Sequence, residues 1–554
     1  MNGPDRGLGA VSLEGVSVEY VEGVPVLRDV DLDLADGTFA LVVGRTGAGK
    51  STLLRTLDGL VPRASGGVLR GAVRVGGVDV ATTPTRDLAP VVGYVAQNPA
   101  RTFVTRTVEA ELAFGLEHQG MDAPTMRRRV EETLDLLGLD AVRDRALETL
   151  SSGQQQRVAI GTVVASGPRV LVLDEPTSAL DPVGAEEVLG TLHRLVHDLG
   201  LTVVVAEHRV ERIASLVDVV VHVRDDGRVR ALPPAGLRGT PFAPPVVRLA
   251  DRLGWDDAPL SVRDARRALA AAEADAVPVP VTPAPATPTP VTPTPATPTP
   301  ATAGSPAVLR ARRLTVRYGA FVALDAVDLD LHAGEVTVLM GRNGSGKSTL
   351  LWSLQGARRR ERGTVDVAGQ DPAALKPRAA RGVVGLVPQD VDLLLPRESV
   401  GAELAASDRD VGAPDGSAPT GEILDRLAPG VDRDTHPRDL SEGQRLALGL
   451  AVQLAPAPPV LLLDEPTRGL DAPAKAELVD LLRDLARDGR AVAVATHDVE
   501  LAATLADRVV VLAHGEVVVD GPARDVLTSN PAFAPQVSRV RPDWLRLDDV
   551  PGAP

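Results

Sequence analysis

Short, wholly apolar runs recur along the chain, each followed by a polar, glycine-bearing loop or an acidic pair and then by a helical pattern. FALVV (Phe39 to Val43) and VTVLM (Val336 to Met340) read as buried strands. The segments after their loops, KSTLLRTL and KSTLLWSL, carry apolar residues at helical spacing. Runs of the same kind lie at Val170 to Leu173, Thr202 to Ala206, Val460 to Leu463 and Ala491 to Ala495. Strands apolar on both faces that alternate with helices predict a mostly parallel sheet covered on both sides, an α/β fold. Strict alternation in VSVEY (Val16 to Tyr20) and LTVRY (Leu314 to Tyr318) predicts an added antiparallel layer near the start of each unit.

The pattern is present twice. GRTGAGKST (Gly44 to Thr52), LSSGQ (Leu150 to Gln154), LVLDEPT (Leu171 to Thr177) and His208 are followed, in the same order, by GRNGSGKST (Gly341 to Thr349), LSEGQ (Leu440 to Gln444), LLLDEPT (Leu461 to Thr467) and His497. Lys50 and Lys347 lie 297 positions apart, and Asp174 and Asp464 lie 290 apart. A chain of 554 residues exceeds one compact core. The repeat predicts a first domain over 10–242, a helical extension over 243–275, a linker over 276–306, a second domain over 307–530 and a tail over 531–554. The linker contains VPVPVTPAPATPTPVTPTPATPTPA (Val277 to Ala301), in which frequent proline excludes helix and central strand and favours extended polyproline II. At about 3.1 Å per residue it spans up to about 80 Å, against a domain radius of gyration of roughly 18 Å. A glycosylated stalk has similar composition, but the start of the chain lacks the basic residues and apolar run of a secretory signal.

Composition narrows the classes. With aromatic residues at 2% the cores must be built from Val, Leu and Ala, and the absence of cysteine excludes disulfides and thiolate metal sites. The net charge of −15 argues against broad binding to nucleic acid or anionic lipid. No apolar run of about 18 residues is present, so no bilayer-spanning helix is expected. The expected protein is soluble and cytoplasmic.

The loops have the form G-x-x-x-x-G-K-[ST] between a strand and a helix. Gly44, Arg45, Thr46, Gly47, Ala48 and Gly49 precede Lys50, Ser51 and Thr52; Gly341, Arg342, Asn343, Gly344, Ser345 and Gly346 precede Lys347, Ser348 and Thr349. Glycines let backbone N–H groups converge on phosphates, and the helix N-terminus adds partial positive charge. Lys50 and Lys347 are expected to reach the β- and γ-phosphates of ATP, and Ser51 and Ser348 to ligate Mg²⁺. Strands ending in Asp174-Glu175 and Asp464-Glu465 place carboxylates at the C-terminal edge of the sheet, where such folds bind ligands. The aspartates suit the Mg²⁺ shell and the glutamates suit polarising the attacking water. His208 and His497, just past a buried strand, are candidate donors to the γ-phosphate.

Leu150-Ser151-Ser152-Gly153-Gln154 and Leu440-Ser441-Glu442-Gly443-Gln444, set between a phosphate loop and a DEPT strand, resemble the signature of ATP-binding cassette (ABC) ATPases. Taken alone, Ser151 and Ser441 are also good helix N-caps. The resemblance implies two tandem ABC-type P-loop NTPase domains, each with an antiparallel β subdomain and a helical subdomain. It implies that Tyr20 and Tyr318 stack on adenine, and that Gln97 and Gln389 sense Mg²⁺ and an attached membrane subunit. It also implies two composite sites, one pairing Lys50, Asp174, Glu175 and His208 with Ser441, Gly443 and Gln444, the other pairing Lys347, Asp464, Glu465 and His497 with Ser151, Gly153 and Gln154. Both glutamates are present, so both sites should hydrolyse ATP. At the third signature position the family usually has glycine; Glu442 there would slow one site if it faced a γ-phosphate.

The stretch QNPARTFVTRTVEAELAFGLE (Gln97 to Glu117) looks like the corresponding stretch of the ATPases of energy-coupling factor (ECF) importers. DEPTRGLD, THDVELA and FAPQVSRV look like the second cassette of the fused, two-cassette subgroup, and PPVVRLADRLGW (Pro244 to Trp255) is similar to that subgroup's extension. The apolar face of this extension suits packing on its own domain as well as a pairing contact. The resemblance implies uptake of a vitamin or transition-metal ion, with a T-type membrane scaffold and an S-type substrate-capture protein as partners, and a place at the cytoplasmic face of the membrane. An ATPase for a sugar or peptide importer shares the general motifs but not the QNP stretch. A two-cassette translation factor would need a long, charged, helical linker in place of the Pro/Thr run.

Overall fold

The computed structural model describes residues 10–275, 306–414, 417–531 and 533–552. The Pro/Thr run of 277–301 lies outside them. Contacts divide the chain into two units, Met1–Arg248 and Leu249–Pro554.

In the first unit Val11–Val21 pairs antiparallel with Val24–Leu34 on one side and with Val68–Val75 on the other. The core sheet has six strands, in the order Val229–Leu232, Val219–Val223, Phe39–Val43, Thr202–Ala206, Val170–Asp174, Val92–Val95. Its strands run parallel except for Val229–Leu232, which pairs antiparallel at the edge. Phe39–Val43, Val170–Asp174 and Thr202–Ala206 are buried along their whole length, as expected for a sheet covered on both faces. The parallel register puts Asp174 opposite Ala206, so the acidic pair and the histidine turn leave the same edge of the sheet.

The helices Val108–His118, Ala123–Leu137 and Ser152–Val164 pack on one another, and the last also contacts the strand Val92–Val95. They meet at Gly161, where a Cβ would lie 2.7 Å from Leu137 and 2.8 Å from Leu112. The Asp122 side chain caps Ala123–Leu137 by accepting from Thr125 N at 3.1 Å. Asp181 caps Pro182–His197 in the same manner, accepting from Gly184 N at 2.8 Å. The Leu-Asp pairs that follow each DEPT segment therefore start the next helix, and Asp471 repeats the cap at Ala474 N.

Gly93 sits in the strand Val92–Val95 under the helix Ser152–Val164, and a Cβ there would lie 1.9 Å from Val163 Cγ1. Gly93→Ala is expected to lower stability by about 1–3 kcal/mol through overpacking. At Gly385, the matching position of the second unit, the tightest approach is 3.1 Å, so Gly385→Ala should shift the thermal midpoint less.

The second unit repeats the plan. Ala307–Tyr318 pairs with Phe321–His332 and with Arg362–Val367, and the core sheet runs Val384–Val387, Val460–Asp464, Ala491–Ala495, Val336–Met340, Arg508–Ala513, Glu516–Pro522. Val400–Val411, Pro419–Leu427 and Glu442–Leu454 share a small core of Val400, Leu404, Leu424, Leu448 and Ala451. The helical extension forms Pro245–Leu253 and Val262–Asp275. Its side chains bond to the C-terminal tail: Arg252 Nε donates to Val550 O at 3.2 Å, Arg266 Nε donates to Arg539 O at 2.6 Å, and Glu273 pairs with Arg541 at 2.7 Å. Among the described residues no helix is long and apolar enough to cross a membrane.

Candidate functional site

The strand Phe39–Val43 runs into Gly44, where a Cβ would lie 2.5 Å from Val223 O, so only glycine fits. The loop closes at Gly49, whose φ of 104° is left-handed, and Lys50 opens the helix Lys50–Leu57. The Lys50 ammonium is buried and donates to Gly44 O at 2.9 Å and Arg45 O at 3.1 Å. Lys347 does the same with Gly341 O at 2.8 Å and Arg342 O at 3.1 Å. A lysine folded back on its own loop holds the cradle in shape and puts positive charge where a phosphate would sit. Thr46, Gly47 and Ala48, with Asn343, Gly344 and Ser345, form the turns between, while Arg45 pairs with Asp225 at 3.6 Å.

Both strands that follow the signature helices end in the expected aspartates. Ser51 hydrogen-bonds Asp174, and Ser348 hydrogen-bonds Asp464. Burial pushes both carboxyls up, Asp464 to about 6, and the adjoining Glu175 and Glu465 add to the effect. Tyr94, which motif reading did not single out, donates its hydroxyl to Asp174 Oδ2 at 3.2 Å. Leu386 stands at the matching position of the second unit, and Asp464 Oδ1 is buried without a hydrogen-bond partner among the described residues.

The glutamates adopt positive φ, 49° at Glu175 and 48° at Glu465, which is uncommon outside glycine and concentrates at functional sites. Each places its backbone N–H on the neighbouring strand, Glu175 on Ala206 O at 3.0 Å and Glu465 on Ala495 O at 2.8 Å. His208 Nε2 meets Glu175 Oε1 at 2.7 Å, whereas His497 presents Nδ1 to Glu465 Oε1, also at 2.7 Å. Gln97 Nε2 donates to Glu175 Oε2 at 2.9 Å. Burial alone would raise the Glu175 carboxyl, but His208, Lys50 and Gln97 outweigh it and hold it below the ordinary value. Gln97 thus meets the glutamate, where the metal had been expected, and among the hydrogen bonds of the described residues none joins Gln389 to Glu465.

The tyrosines are partly exposed, Tyr20 at 39% and Tyr318 at 43%. The Tyr20 hydroxyl donates to Thr52 Oγ1 at 3.4 Å, and Tyr318 lies 3.3 Å from Thr349 Oγ1, so each ring stands over the start of its phosphate helix. Arg358 stacks its guanidinium 4.0 Å from the centre of the Tyr318 ring.

The signatures begin the helices Ser152–Val164 and Glu442–Leu454 as capping boxes. Ser151 Oγ accepts from Gln154 N at 3.3 Å while Gln154 Oε1 accepts from Ser151 N at 3.0 Å; Ser441 and Gln444 repeat this at 3.3 and 3.1 Å. The N-cap role and the signature role are therefore compatible, since both leave Gly153 and Gly443 in the first helical turn. Glu442 is ion-paired with Arg445 at 3.3 Å along the same helix and lies against Gly469.

The ABC transporter family pattern matches residues 27–178 and 324–468, both phosphate loops and both DEPT strands included. The chain belongs to the ABC transporter family.

This ABC protein is 52% identical over 98% of its length to an ABC transporter ATP-binding protein of Streptomyces avermitilis, covering 99% of that protein. A Streptomyces coelicolor protein of the same description is 50% identical over 98% of the chain and 99% of its own length. One from Methanosarcina acetivorans is 32% identical over 95% of the chain and 86% of its own length. Among solved structures, cbiO1 from Clostridium perfringens, described as part of the ABC transporter complex cbiONQ, is 26% identical with a TM-score of 0.40, over 44% of this chain and 96% of that one.

The protein is accordingly an ABC-type ATPase with two cassettes, and its cassettes bind ATP with Mg²⁺. The donors present fit that ion. No cluster of three or more His, Asp or Glu able to hold a metal exists among the described residues. A serine hydroxyl, one aspartate and nucleotide oxygens suit Mg²⁺, which takes few protein ligands and keeps several waters. The partnerless Asp464 Oδ1 is a carboxylate oxygen that a cation would satisfy.

Proposed function

We propose that this ABC ATPase is the energy-coupling subunit of an ECF-type importer for a vitamin or transition-metal ion, with both cassettes in one chain forming two composite ATP sites. The observation that carries the reading is the segment Gln97–Glu117, whose sequence resembles that of ECF ATPases and whose first residue is bonded to Glu175. Its loop is built around Glu111, whose carboxylate accepts from Val104 N at 3.1 Å, Thr105 N at 2.8 Å and Thr105 Oγ1 at 2.8 Å. A partner pressing on that segment would act on the glutamate through Gln97.

In this reading Glu175 and Glu465 polarise the attacking water, His208 and His497 hold those carboxylates and contact the γ-phosphate, and Lys50 and Lys347 neutralise the β- and γ-phosphates. Ser51 with Asp174, and Ser348 with Asp464, would hold Mg²⁺, which would supply charge neutralisation on the phosphates. Tyr20 and Tyr318 support adenine, and Ser151, Gly153 and Gln154, with Ser441, Gly443 and Gln444, cap the γ-phosphate of the other cassette's ATP. ATP closure then biases a two-state membrane assembly, and hydrolysis resets it. The protein works at the cytoplasmic face of the membrane, bound to a T-type scaffold that carries an S-type capture protein.

Affinity purification from native membranes tests this. The expected result is co-purification of two different small polytopic membrane proteins at fixed stoichiometry. Recovery of ribosomes, or of permeases together with a sugar- or peptide-binding protein, would overturn it.

A further inference from the structure

The histidine turns of the two cassettes differ in the residue just before the histidine, Glu207 in the first and Thr496 in the second. Glu207 is 3% exposed and both its oxygens are engaged. Oε1 accepts from Thr177 N at 2.9 Å and from the Thr177 hydroxyl, and Oε2 accepts from His208 N at 3.1 Å. The carboxylate thereby ties the DEPT segment to the turn that carries His208. Burial pushes its carboxyl up, the Thr177 hydrogen bonds oppose this, and the charge of Glu175 adds to it.

Thr496 is used differently. Its hydroxyl donates to Glu465 Oε2 at 3.2 Å and accepts from Asp498 N at 3.1 Å. Two of the groups that hold the second glutamate, Thr496 and His497, thus come from one turn. In the first cassette the oxygens of Glu207 are turned to Thr177 and His208, and Glu175 Oε2 takes its hydrogen bond from Gln97 instead. Gln97 starts a segment with its own buried anchor at Glu111, so the second oxygen of the glutamate is tied to a surface element while the first stays with His208 of its own turn.

We propose that Glu207 is a positioning residue that places the first cassette's glutamate under the control of Gln97, whereas Thr496 holds the second cassette's glutamate independently of Gln389. The inference rests on the reading of Glu175 and Glu465 as the groups that activate water. Its consequence is that hydrolysis at the first cassette answers to whatever moves the Gln97 segment, while the second cassette has an acid set by its own turn. The chain then carries one cassette whose glutamate answers to a surface segment and one whose glutamate is held by Thr496, although each cassette has its own phosphate-loop lysine, acidic pair and histidine.

The test is a double-mutant cycle in the full-length chain with the second cassette silenced by Glu465→Gln. Gln97→Ala is combined with Glu207→Thr, and single-turnover hydrolysis and ATP affinity are measured for each. The loss of turnover caused by Gln97→Ala is expected to be at least about fivefold smaller in the Glu207→Thr chain, within the range that contacting residues show in such cycles. Glu207→Gln, which keeps acceptors for Thr177, should retain the full dependence on Gln97. Equal losses in all three backgrounds would overturn the proposal. If Glu207→Thr does not fold, the reciprocal pair decides, with the first cassette silenced by Glu175→Gln. Thr496→Val should lower turnover at the second cassette by about fivefold or more with ATP affinity unchanged, and Thr496→Ser should restore it; unchanged turnover in Thr496→Val refutes the idea. Should the chain with both glutamates replaced still hydrolyse ATP like the wild type, it is the assignment of the activating groups that fails. If that chain is inactive and the cycle is additive, only the present inference fails.

Discussion

Replacing both Glu175 and Glu465 with glutamine is expected to lower ATP hydrolysis by about 10²- to 10⁴-fold, the range a positioned general base contributes, while leaving ATP binding intact. Glutamine keeps the shape of the side chain and can still accept a hydrogen bond from His208 or His497, so the turns should stay in place. What is lost is the ability to polarise and deprotonate water. The Glu175 carboxyl is held below its ordinary value, so it is ionised at neutral pH and its loss removes a base that is fully in its active form. With Glu175→Gln alone, ATP should remain trapped at the first cassette and transport should largely stop. Single-turnover hydrolysis of radiolabelled ATP, with retention of bound nucleotide on rapid filtration, measures both effects. Turnover in the double variant above about a tenth of wild type would mean that another group activates the water, because one decade is below the contribution expected of such a base.

Asp464→Asn should have two opposite effects. Burial raises the Asp464 carboxyl from an ordinary 3.8 to about 6. The folded chain then holds this proton more tightly than the unfolded chain. The resulting stability is present below about pH 4 and lost as pH rises through about 6, so at neutral pH the ionised group costs the nucleotide-free protein about 3 kcal/mol. Asparagine of the same shape removes that cost. In scanning calorimetry without nucleotide at pH 7.5, the variant should melt several degrees higher, at roughly 2–4 °C per kcal/mol for a unit of this size. At pH 4 the gain should vanish. With Mg²⁺ and ATP the order should reverse, because the variant lacks the carboxylate oxygen that Oδ1 offers a cation. Destabilisation of the nucleotide-free variant at pH 7.5 would contradict the account. Asp174→Asn should show a smaller gain, since Tyr94 already donates to that carboxylate.

These two aspartates illustrate what motif reading reached. Both were legible as candidate metal ligands, because a strand ending in Asp-Glu after a signature helix is a local pattern repeated 290 residues apart. The phosphate loops were legible to the residue, and KSTLLRTL forms the helix Lys50–Leu57. The six core strands read from apolar runs all appear, four of them with the same limits and two extended by one residue to the aspartate. Burial on both faces leaves a continuous apolar run that no exposed segment imitates.

Tyr94 was not singled out, and no role was read for Glu207, Thr177 or Thr496. Tyr94 stands in VGYV, a short strand in which nothing nearby reveals that its hydroxyl will meet a carboxylate 80 residues later. The direction of Gln97 is of the same kind: its side chain was expected at the metal, and its hydrogen-bond partner is Glu175. Glu207 and Thr496 differ between the copies in the sequence itself, yet the difference has a meaning only because Glu207 faces Thr177 and Thr496 faces Glu465.

By itself, the sequence determined the duplication, the α/β class, both phosphate loops, the acidic pairs and the serine N-caps of the signatures. Each of these is carried by residues within a few positions of one another, where periodicity, glycine φ and side-chain capping operate. Tertiary structure decided which groups each glutamate touches and how each aspartate is solvated. Those depend on strand order, since Val170–Asp174 lies between Val92–Val95 and Thr202–Ala206 and draws its partners from both. Two copies of one motif set thus became two chemically different sites through their neighbours in the sheet.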